Sequence, residues 1–422
     1  MSRDDAAPVE IRPVHEDEYA DWLRSVNSGF LTAPATPSPE RVAVLRQWAD
    51  LGRTQGAFDG GRIVGNFRSF SQRLTVVGGA DVPADAVTNV GVSPTHRRRG
   101  ILSRMMAADL GAARDRGDVV ATLISAEYPI YGRYGFGPCA SVARWDVEVP
   151  RAGLDPRWSA PDCGGRIDLV DVTEVRKHGP ELHERLRALR HGVVDRPARW
   201  WERWTGQHPM PEEPWKEPFY ALYRSPSGEV EGLVAYQADG TWHDGKQPME
   251  RATIDDLIAL NPDAERALWH FVCSIDWITR IRTDYRAPDD LLPDLLPDPR
   301  AARIGVLADW LWVRLLDVER ALSSRTYATA GTLVLDVTDR SGLGGAGRYR
   351  LETDGPSASC VRTTDEAELT LDIADLASVW LGEVSADRLR LLGRVAEGRE
   401  GVVERADAMF RTARRAWCPD VF

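Results

Sequence analysis

Residues 90–106 are Val-Gly-Val-Ser-Pro-Thr-His-Arg-Arg-Arg-Gly-Ile-Leu-Ser-Arg-Met-Met, a short apolar strand that leads through three arginines and a glycine into an amphipathic helix. A helix N-terminus leaves its first backbone N–H groups unpaired and carries partial positive charge, so it accepts phosphate oxygens readily. Gly100 lets a phosphate approach the backbone closely. The stretch therefore predicts a pyrophosphate site at the start of a helix.

The predicted helix has one apolar face, which keeps its N-terminal end available. The apolar stripe comprises Leu102, Met105, Met106, Leu110 and Ala113. Arg104, Asp109 and Arg114 lie outside this stripe and are expected away from the packed face.

The three arginines have two interpretations. Arg97, Arg98 and Arg99 fit an ordinary solvated basic turn. The order of strand, basic glycine loop and helix favours a phosphate site, although neither Walker spacing nor the Gly-x-Gly-x-x-Gly pattern is present. The segment resembles the acyl-coenzyme A loop of the GCN5-related N-acetyltransferases (GNAT), Arg/Gln-x-x-Gly-x-Gly/Ala. Here that pattern falls on residues 97–102, with Leu102 in place of the last small residue.

Length and composition limit the class of protein. A chain of 422 residues predicts two or three domains, and 43% hydrophobic with 28% charged residues is typical of a soluble globular protein. A net charge of −11 argues against nonspecific nucleic-acid binding and is compatible with small cationic substrates. Surface acidity that only keeps the protein soluble explains the charge equally well.

Cysteine and histidine spacing predicts neither a disulfide framework nor a metal site. The five scattered cysteines are Cys139, Cys163, Cys273, Cys360 and Cys418. No Cys-x-x-Cys pair or His-Glu-x-x-His motif occurs, and the odd count favours a reducing compartment. The N-terminus has no apolar signal core and no run of eighteen apolar residues occurs, so we expect a cytoplasmic protein without a membrane partner.

The chain alternates helix-like and strand-like segments in two successive regions. In the first, helices at 17–30 and 41–48 precede a hairpin at 57–65 and strands at 72–77, 87–92 and 119–124, an order that follows the acetyltransferases. After a loop at 150–165, residues 166–305 repeat the alternation. In this second region the counterpart of the arginine-glycine loop is residues 260–266. Its acidic residues do not suit phosphate, so the second copy of the fold is expected to be degenerate.

The C-terminal region has a different pattern. Repeated Pro-Asp pairs at 284–300 predict a surface linker. Strands at 311–315, 331–337, 349–353 and 367–373, with helices at 373–381 and 386–392, give an α+β pattern that resembles a sterol-carrier-type domain. The predicted fold class is thus α/β and α+β: tandem GNAT-like domains (1–150 and a degenerate 151–305), then a sterol-carrier-like domain (306–422).

Thioester aminolysis needs a base and an acid. An ammonium with an unperturbed pKa near roughly 10.4 must lose a proton before it attacks, and the departing thiolate should gain one. A backbone N–H at a strand bulge can donate to the carbonyl oxygen. Tyr128, Tyr131 and Tyr134 follow the strand that ends at Ile124. Chemistry alone does not choose among them, and aromatic packing around glycine turns is the alternative.

Further residues carry a more specific resemblance. Pro-Thr-His-Arg-Arg-Arg-Gly at 94–100, Ile-Tyr-Gly-Arg-Tyr-Gly-Phe-Gly-Pro at 130–138, the chain length and a terminal phenylalanine resemble the enhanced intracellular survival family of acetyltransferases. This resemblance implies two acetyltransferase-like domains before a sterol-carrier-like domain, acetyl-CoA as co-substrate and a homohexamer. It also implies Tyr131 as the general acid and the terminal carboxylate of Phe422 as the base.

The C-terminal segment suits a buried end. Residues 416–422, Ala-Trp-Cys-Pro-Asp-Val-Phe, are largely apolar and finish without a polar tail, although a frayed terminus is the ordinary alternative. An α-carboxylate has an unperturbed pKa of about 3.5, and partial desolvation raises it toward useful basicity. Val421 stands where the family usually has glutamate, which bears on substrate preference.

The resemblance also implies the binding residues. Those for the coenzyme are Val90, Gly91, Val92, Arg98, Arg99, Gly100, Ile101, Leu102, Ser103, Ala126 and Glu127. Those for the amine are Asn27, Phe30 and Trp48, which fit a core role equally well.

We therefore predict an acetyl-CoA-dependent N-acetyltransferase that acts on aminoglycoside-like or lysine-type amines through a ternary complex. The alternatives are a lipid or apolar-ligand binding protein with a coenzyme-sensing first domain, and a scaffold whose degenerate middle domain offers partner surfaces.

Overall fold

The computed structural model describes residues 9–32, 35–153 and 164–422. Their strands are β1 (Glu10–Pro13), β2 (Thr54–Asp59), β3 (Arg62–Thr75), β4 (Asp81–Val92), β5 (Val120–Ile124), β6 (Gly137–Glu148), β7 (Arg166–Val170), β8 (Phe219–Arg224), β9 (Val230–Ala238), β10 (Trp242–His243), β11 (Gln247–Pro248), β12 (Glu250–Ala259), β13 (Ile278–Thr283), β14 (Ala302–Leu315), β15 (Gly331–Thr338), β16 (Gly347–Thr353), β17 (Ala358–Arg362), β18 (Leu369–Asp372) and β19 (Val395–Glu397). Their α-helices are α1 (Tyr19–Gly29), α2 (Pro39–Gln47), α3 (Ile101–Asp115), α4 (Tyr128–Tyr131), α5 (Val149–Ala152), α6 (Val172–Leu189), α7 (Ala198–Trp204), α8 (Pro262–Cys273), α9 (Val318–Ser323), α10 (Ile373–Trp380), α11 (Ala386–Leu391) and α12 (Val402–Phe410).

One long sheet joins the first two acetyltransferase-like units. Its strand order is β1-β2-β3-β4-β5-β14-β6-β13-β12-β9-β8-β7. β4 and β5 are parallel and are connected by α3, and β12 and β13 are parallel and are connected by α8. β14 lies between β5 and β6, while β6 lies between β14 and β13. Each unit is therefore completed by a strand from the other unit: β14 follows β5 in the first, and β6 follows β13 in the second.

This strand exchange corrects one expectation. The stretch 311–315, predicted as a strand of the third domain, is the end of β14, and Leu311 pairs with Ile124 of β5. The predicted domain boundaries at 150/151 and 305/306 remain a prediction, and the second of them lies within β14.

The helix after the arginine-glycine loop, α3, forms as its apolar stripe predicts, with one exception. Met105, Met106, Leu110 and Ala113 are fully buried against the sheet. Burial of one such large side chain contributes about 1.5–3 kcal/mol, which favours this docking of α3. Asp109 was expected off the packed face, but it is only 3% exposed, because it hydrogen-bonds to buried polar groups of the sheet.

Two further local expectations were wrong. The hairpin strand ending at 65 and the strand at 72–77 are one continuous strand, β3, because the residues between them also alternate across the sheet. The Pro-Asp-rich stretch 284–300 is not a surface linker: Leu292, Leu295 and Leu296 are buried in the core of the second unit. The predicted loop at 150–165 lies largely outside the described residues.

The third unit has a five-stranded sheet in the order β17-β16-β15-β18-β19. α10 packs on β6 and β14 of the long sheet. A Cβ at Gly137 would clash with the Ala374 carbonyl oxygen, so the absence of a side chain permits this close approach. No helix in the described ranges is long and apolar enough to cross a membrane.

Candidate active site

A cleft opens where β4 and β5 separate. Their parallel pairing ends at Val87 and Leu123, whereas β4 continues to Val92. A register shift against β3 and a positive φ of 52° at Asn89 mark a bulge in β4 at this point. The Asn66 amide donates to the Asn89 carbonyl oxygen at 2.5 Å and holds the bulge. The bulge lies just past the end of the β4–β5 pairing, on the part of β4 that leads into the arginine-glycine loop.

The arginine-glycine loop has the backbone of an anion site. Arg98 has φ 64° and Gly100 has φ 72°, and both residues are exposed, as are Arg99 and Ser103. Gly100 at the N-cap of α3 has no side chain with which to cap the helix, and the first turn of α3 contains no acidic residue. The first N–H groups of α3 thus remain available for phosphate oxygens, so these residues fit the pyrophosphate of a coenzyme A ester.

Arg97 differs from its two neighbours. Its Nε donates to the Val92 carbonyl oxygen at 3.2 Å, which directs the guanidinium toward the end of β4. The preceding His96 is buried, and its Nε2 lies 2.8 Å from Asp59 Oδ2. The hydrogen bond from His96 lowers the pKa of the Asp59 carboxyl. The contact between His96 and Asp59 anchors the base of the loop to β2.

The three tyrosines occupy different environments. Tyr128 is 57% exposed and its ring packs on Trp312, whereas the Tyr134 hydroxyl lies 3.1 Å from Ser103 Oγ at the start of α3. Tyr131, at the end of α4, is 8% exposed. Burial, with a smaller effect of Glu127, raises the pKa of Tyr131 to about 12. The phenol of Tyr131 therefore keeps its proton at neutral pH.

The C-terminus lies on the sheet face opposite α3. Ser69 of β3 donates to Asp109 of α3 at 2.7 Å, so the adjacent Phe70 points to the other face. The ring of Phe422 contacts Phe70 edge-on, with centroids 6.0 Å apart. The terminal residue thus reaches the strand next to β4.

Trp310 connects the tail to β5. Its carbonyl oxygen accepts from the Ser125 N–H at 3.2 Å, directly after β5. Its indole Nε1 donates to the Asp420 carbonyl oxygen at 3.0 Å. Trp417 and Cys418 are 5% and 0% exposed, so the tail is packed rather than frayed, although Val421 is 59% exposed.

The expected amine-pocket residues are only partly brought together. A Cβ at Gly29 would lie 3.8 Å from Gly91 Cα, so the end of α1 adjoins the β4 bulge, and the next residue, Phe30, is 50% exposed. The Asn27 amide donates locally to the Ala35 carbonyl oxygen. Trp48 lies beside the second unit, with the Arg203 guanidinium 5.8 Å from its ring. Phe30 is therefore the one of the three that is exposed beside the β4 bulge.

Sequence reasoning missed several residues of this site. Arg68 lies on the same face of β3 as Phe70, and its buried Nε has no hydrogen-bond partner in the part of the chain that the structure describes. Burial lowers the pKa of this guanidinium. Strand alternation could have put Arg68 and Phe70 on one face, but no local signal links them, or Trp310, to the C-terminus.

A buried carboxyl pair fixes α3 to β4. Asp85 accepts hydrogen bonds from Arg53 at 2.5 Å and Arg116 at 2.8 Å, while Asp109 accepts from Ser69. Burial, and then the neighbouring Asp85, raise the pKa of Asp109 to about 8. Asp109 is therefore protonated at neutral pH, and this proton avoids the juxtaposition of two buried charges.

Asp109→Asn is expected to flatten the pH dependence of stability. Folded Asp109 holds its proton to about pH 8, whereas an unfolded aspartate releases it near pH 3.9, so the free energy of unfolding falls as pH rises between these values. Asparagine carries amide hydrogens at every pH. We expect its melting temperature to exceed that of the wild type by at least about 2 °C at pH 8.5 and to match it at pH 4. Asp115→Asn, an exposed change on the same helix, is the control, and an unaltered profile in Asp109→Asn would contradict the assignment.

Comparison with known proteins gives the same three-part organisation. Models of an acetyltransferase (GNAT) domain match residues 10–139 and 192–315, and a sterol carrier protein domain matches residues 318–419. The chain is 60% identical over 422 residues to an N-acetyltransferase of Streptomyces avermitilis, and the match covers 100% of both chains. It is 32% identical over 409 residues to N-acetyltransferase Eis of Mycobacterium tuberculosis, with 94% of this chain and 95% of that protein covered.

Solved structures are similar across the whole chain. Eis1 from Mycobacterium abscessus superposes with a TM-score of 0.85 at 31% identity, covering 98% of this chain and 100% of that chain. A GCN5-related N-acetyltransferase from Anabaena variabilis superposes with a TM-score of 0.82 at 19% identity, covering 98% of this chain and 100% of that chain, and shares the fold.

Proposed function

The chain belongs to the Eis family of N-acetyltransferases, and on that premise we propose that it transfers an acetyl group from acetyl-CoA directly to an amine within a ternary complex. One observation supports this proposal above all. The packed C-terminus reaches the sheet face opposite the arginine-glycine helix, at β3 and β14, the strands next to β4 and β5. A coenzyme side and a proton-accepting side are thus available at one cleft.

The proposed coenzyme contacts lie around that cleft. The exposed loop and the α3 N-terminus supply Arg98, Arg99, Gly100, Ile101, Leu102 and Ser103 for the pyrophosphate. The backbone of the β4 end supplies Val90, Gly91 and Val92, and the segment after β5 supplies Ala126 and Glu127. Acetyl-CoA supplies the thioester that activates the acetyl group, and these residues bind and orient it.

Tyr131 and Phe422 share the proton transfers. Because the pKa of Tyr131 is about 12, its phenol is protonated throughout the neutral range and is available to donate to the departing sulfur. The Phe422 carboxylate accepts the proton of the attacking ammonium, directly or through water. Phe422 is half-buried with its ring against Phe70, and such surroundings favour this role, because desolvation raises the basicity of a carboxylate.

The proposed acceptors are amines of the aminoglycoside or lysine type, as the family resemblance implies. Phe30 offers an exposed aromatic face for a cationic amine. Arg68 places a positive charge on the same sheet face as Phe70, so an amine that also carries an anionic group is favoured next to it. Acceptors with and without such a group therefore belong in one panel.

The alternatives concern the third unit and the assembly. Side chains such as Leu333, Leu351, Trp380 and Met409 fill the interior of the third unit and are fully buried, which favours a structural role over lipid carriage. The homohexamer implied by the family resemblance is part of this proposal, and sedimentation of the full chain tests it. Cytoplasmic location and independence from metal remain predictions.

The decisive test of function is thiol release from acetyl-CoA in the presence of a panel of amines. The panel should contain aminoglycosides, lysine peptides and amino acids. We expect at least one class to raise release above the background without an amine, with the acetylated product identified by mass spectrometry. Background release with every amine would contradict the proposal.

Substitution of the loop arginines is expected to weaken coenzyme binding. Arg98→Ala and Arg99→Ala should each raise the Kd of acetyl-CoA about tenfold, because each removes a charge beside the phosphates. The loss of affinity for acetyl-CoA in these variants should be smaller at high salt, since exposed charges are screened. Arg97→Ala is the matched control, because Arg97 bonds to the Val92 carbonyl oxygen instead, and its Kd should change less than about twofold. Equal losses at all three positions, measured by titration calorimetry, would argue for a general charge effect.

A further inference from the structure

The second acetyltransferase-like unit has a cleft of its own that corresponds to the β4–β5 cleft. Parallel pairing of β12 with β13 ends at Ile254 and Thr283, although β12 continues to Ala259. A register shift against β9 falls between Ile254 and Asp256, as the β4 bulge does in the first unit. The strands therefore separate at the same place in both units.

The chain's own residues fill this second cleft. Arg286 donates to the Leu257 carbonyl oxygen at 2.8 Å and pairs with Asp290 at 2.7 Å. The ring of Trp417 lies 5.0 Å from the Arg286 guanidinium, and its indole Nε1 donates to the Tyr285 carbonyl oxygen at 2.9 Å. The C-terminal segment thus lies where the first unit has its coenzyme cleft.

Arg196 ties this segment down with two buried ion pairs. Its Nη1 lies 2.6 Å from Asp256 at the β12 bulge, and its Nε lies 2.8 Å from Asp420. All three side chains are less than a tenth exposed. Removal of Arg196 would leave two buried carboxylates without a counter-charge, and removal of Asp420 would detach the tail from Arg196, so the pairs favour one position of the tail.

The backbone next to Arg196 is attached to the first unit. The Asp195 N–H donates to the Arg73 carbonyl oxygen at 3.1 Å, and the Asp195 carboxylate accepts from the Arg73 N–H at 2.7 Å. Arg73 belongs to β3, the strand that carries Phe70 against the ring of Phe422. β3 therefore holds Arg196 in place, and β3 is also the strand that the end of the tail must reach.

We propose that the second unit is a docking site for the chain's own segment 417–420, and that Arg196, through Asp420, is a positioning residue for the Phe422 carboxylate. The functional part of this inference rests on the proposed role of that carboxylate. Binding of the tail requires the separated strands of the second unit but no basic glycine loop. The acidic residues at 260–266 are consistent with this function.

The docking is tested first without reference to activity. Carboxypeptidase release of Phe422 from the full chain is followed by mass spectrometry for wild type, Asp420→Ala and Trp417→Phe. We expect both variants to release Phe422 at least about tenfold faster than wild type, because the opened population of the tail governs cleavage. Asp375→Asn, which alters a buried aspartate paired with Arg394 in the third unit, should match wild type. Wild-type release rates in both tail variants would overturn the docking proposal.

Kinetics then test the positioning role. Asp420→Ala should lower kcat about tenfold with the Kd of acetyl-CoA within about twofold, and should lower kcat no further in a chain that lacks Phe422. Unchanged kcat, or losses that multiply in the combined variant, would overturn the role of Arg196 and Asp420. A wild-type chain that acetylates no amine would contradict the proposed function instead, and the release rates would still decide the docking.

Discussion

A chain that ends at Val421 is expected to lose about 10²–10⁴-fold in kcat, the usual contribution of a general base, while it still binds acetyl-CoA. Deletion of Phe422 removes the terminal ring from Phe70 and shifts the only α-carboxylate of the chain by one residue. The attacking amine then stays protonated near the thioester, since its unperturbed pKa is roughly 10.4. The Kd of acetyl-CoA should be unaffected, because the deleted residue lies on the sheet face opposite α3.

An added residue separates the effect of the Phe422 ring from the effect of its carboxylate. One glycine appended after Phe422 retains the ring but moves the carboxylate by about 3.5 Å. We expect this chain to be as impaired in kcat as the deletion, measured by thiol release at saturating amine. Val421→Ala is the matched control, because Val421 is 59% exposed. Full activity in the extended chain would exclude the carboxylate as the base.

Tyr131→Phe is expected to lower kcat by about 10²-fold or more, the lower range for loss of a general acid. Phenylalanine keeps the packing against Phe136, whose ring centroid lies 6.2 Å from that of Tyr131, so the fold should be retained. The effect should appear in kcat and kcat/KM together, as expected for an interaction made in the transition state. Because the raised pKa of Tyr131 is about 12, wild-type activity should not decline through loss of this proton below about pH 11.

The neighbouring tyrosines provide matched controls for this variant. Tyr128→Phe alters a half-exposed ring and should leave kcat within about twofold of wild type. Tyr134→Phe removes the contact with Ser103 at the start of α3, so it should raise the KM of acetyl-CoA more than it lowers kcat. Equal loss of kcat in all three variants, by thiol release, would show that the tyrosines act as a packing cluster.

Local sequence patterns predicted the elements that form the proposed coenzyme side. The strand, the basic glycine loop and the helix of residues 90–115 are adjacent in sequence, and their conformations depend on neighbouring residues. The apolar stripe of α3 was confirmed for the same reason. Asp109 was misplaced because its burial depends on Ser69 and Asp85, which no helical periodicity contains.

Local patterns in the sequence were sufficient to assign the classes of its parts: two acetyltransferase-like units, a sterol-carrier-like unit, one intact arginine-glycine loop and an apolar end. Two features became visible only in the folded chain: β6 and β14 are exchanged between the units, and Arg196 meets Asp420, 224 positions further along the chain. Periodicity and turn residues report interactions over a few residues, whereas strand exchange and buried ion pairs depend on which surfaces meet after folding. The position of the chain's last residue likewise depends on which surfaces meet after folding.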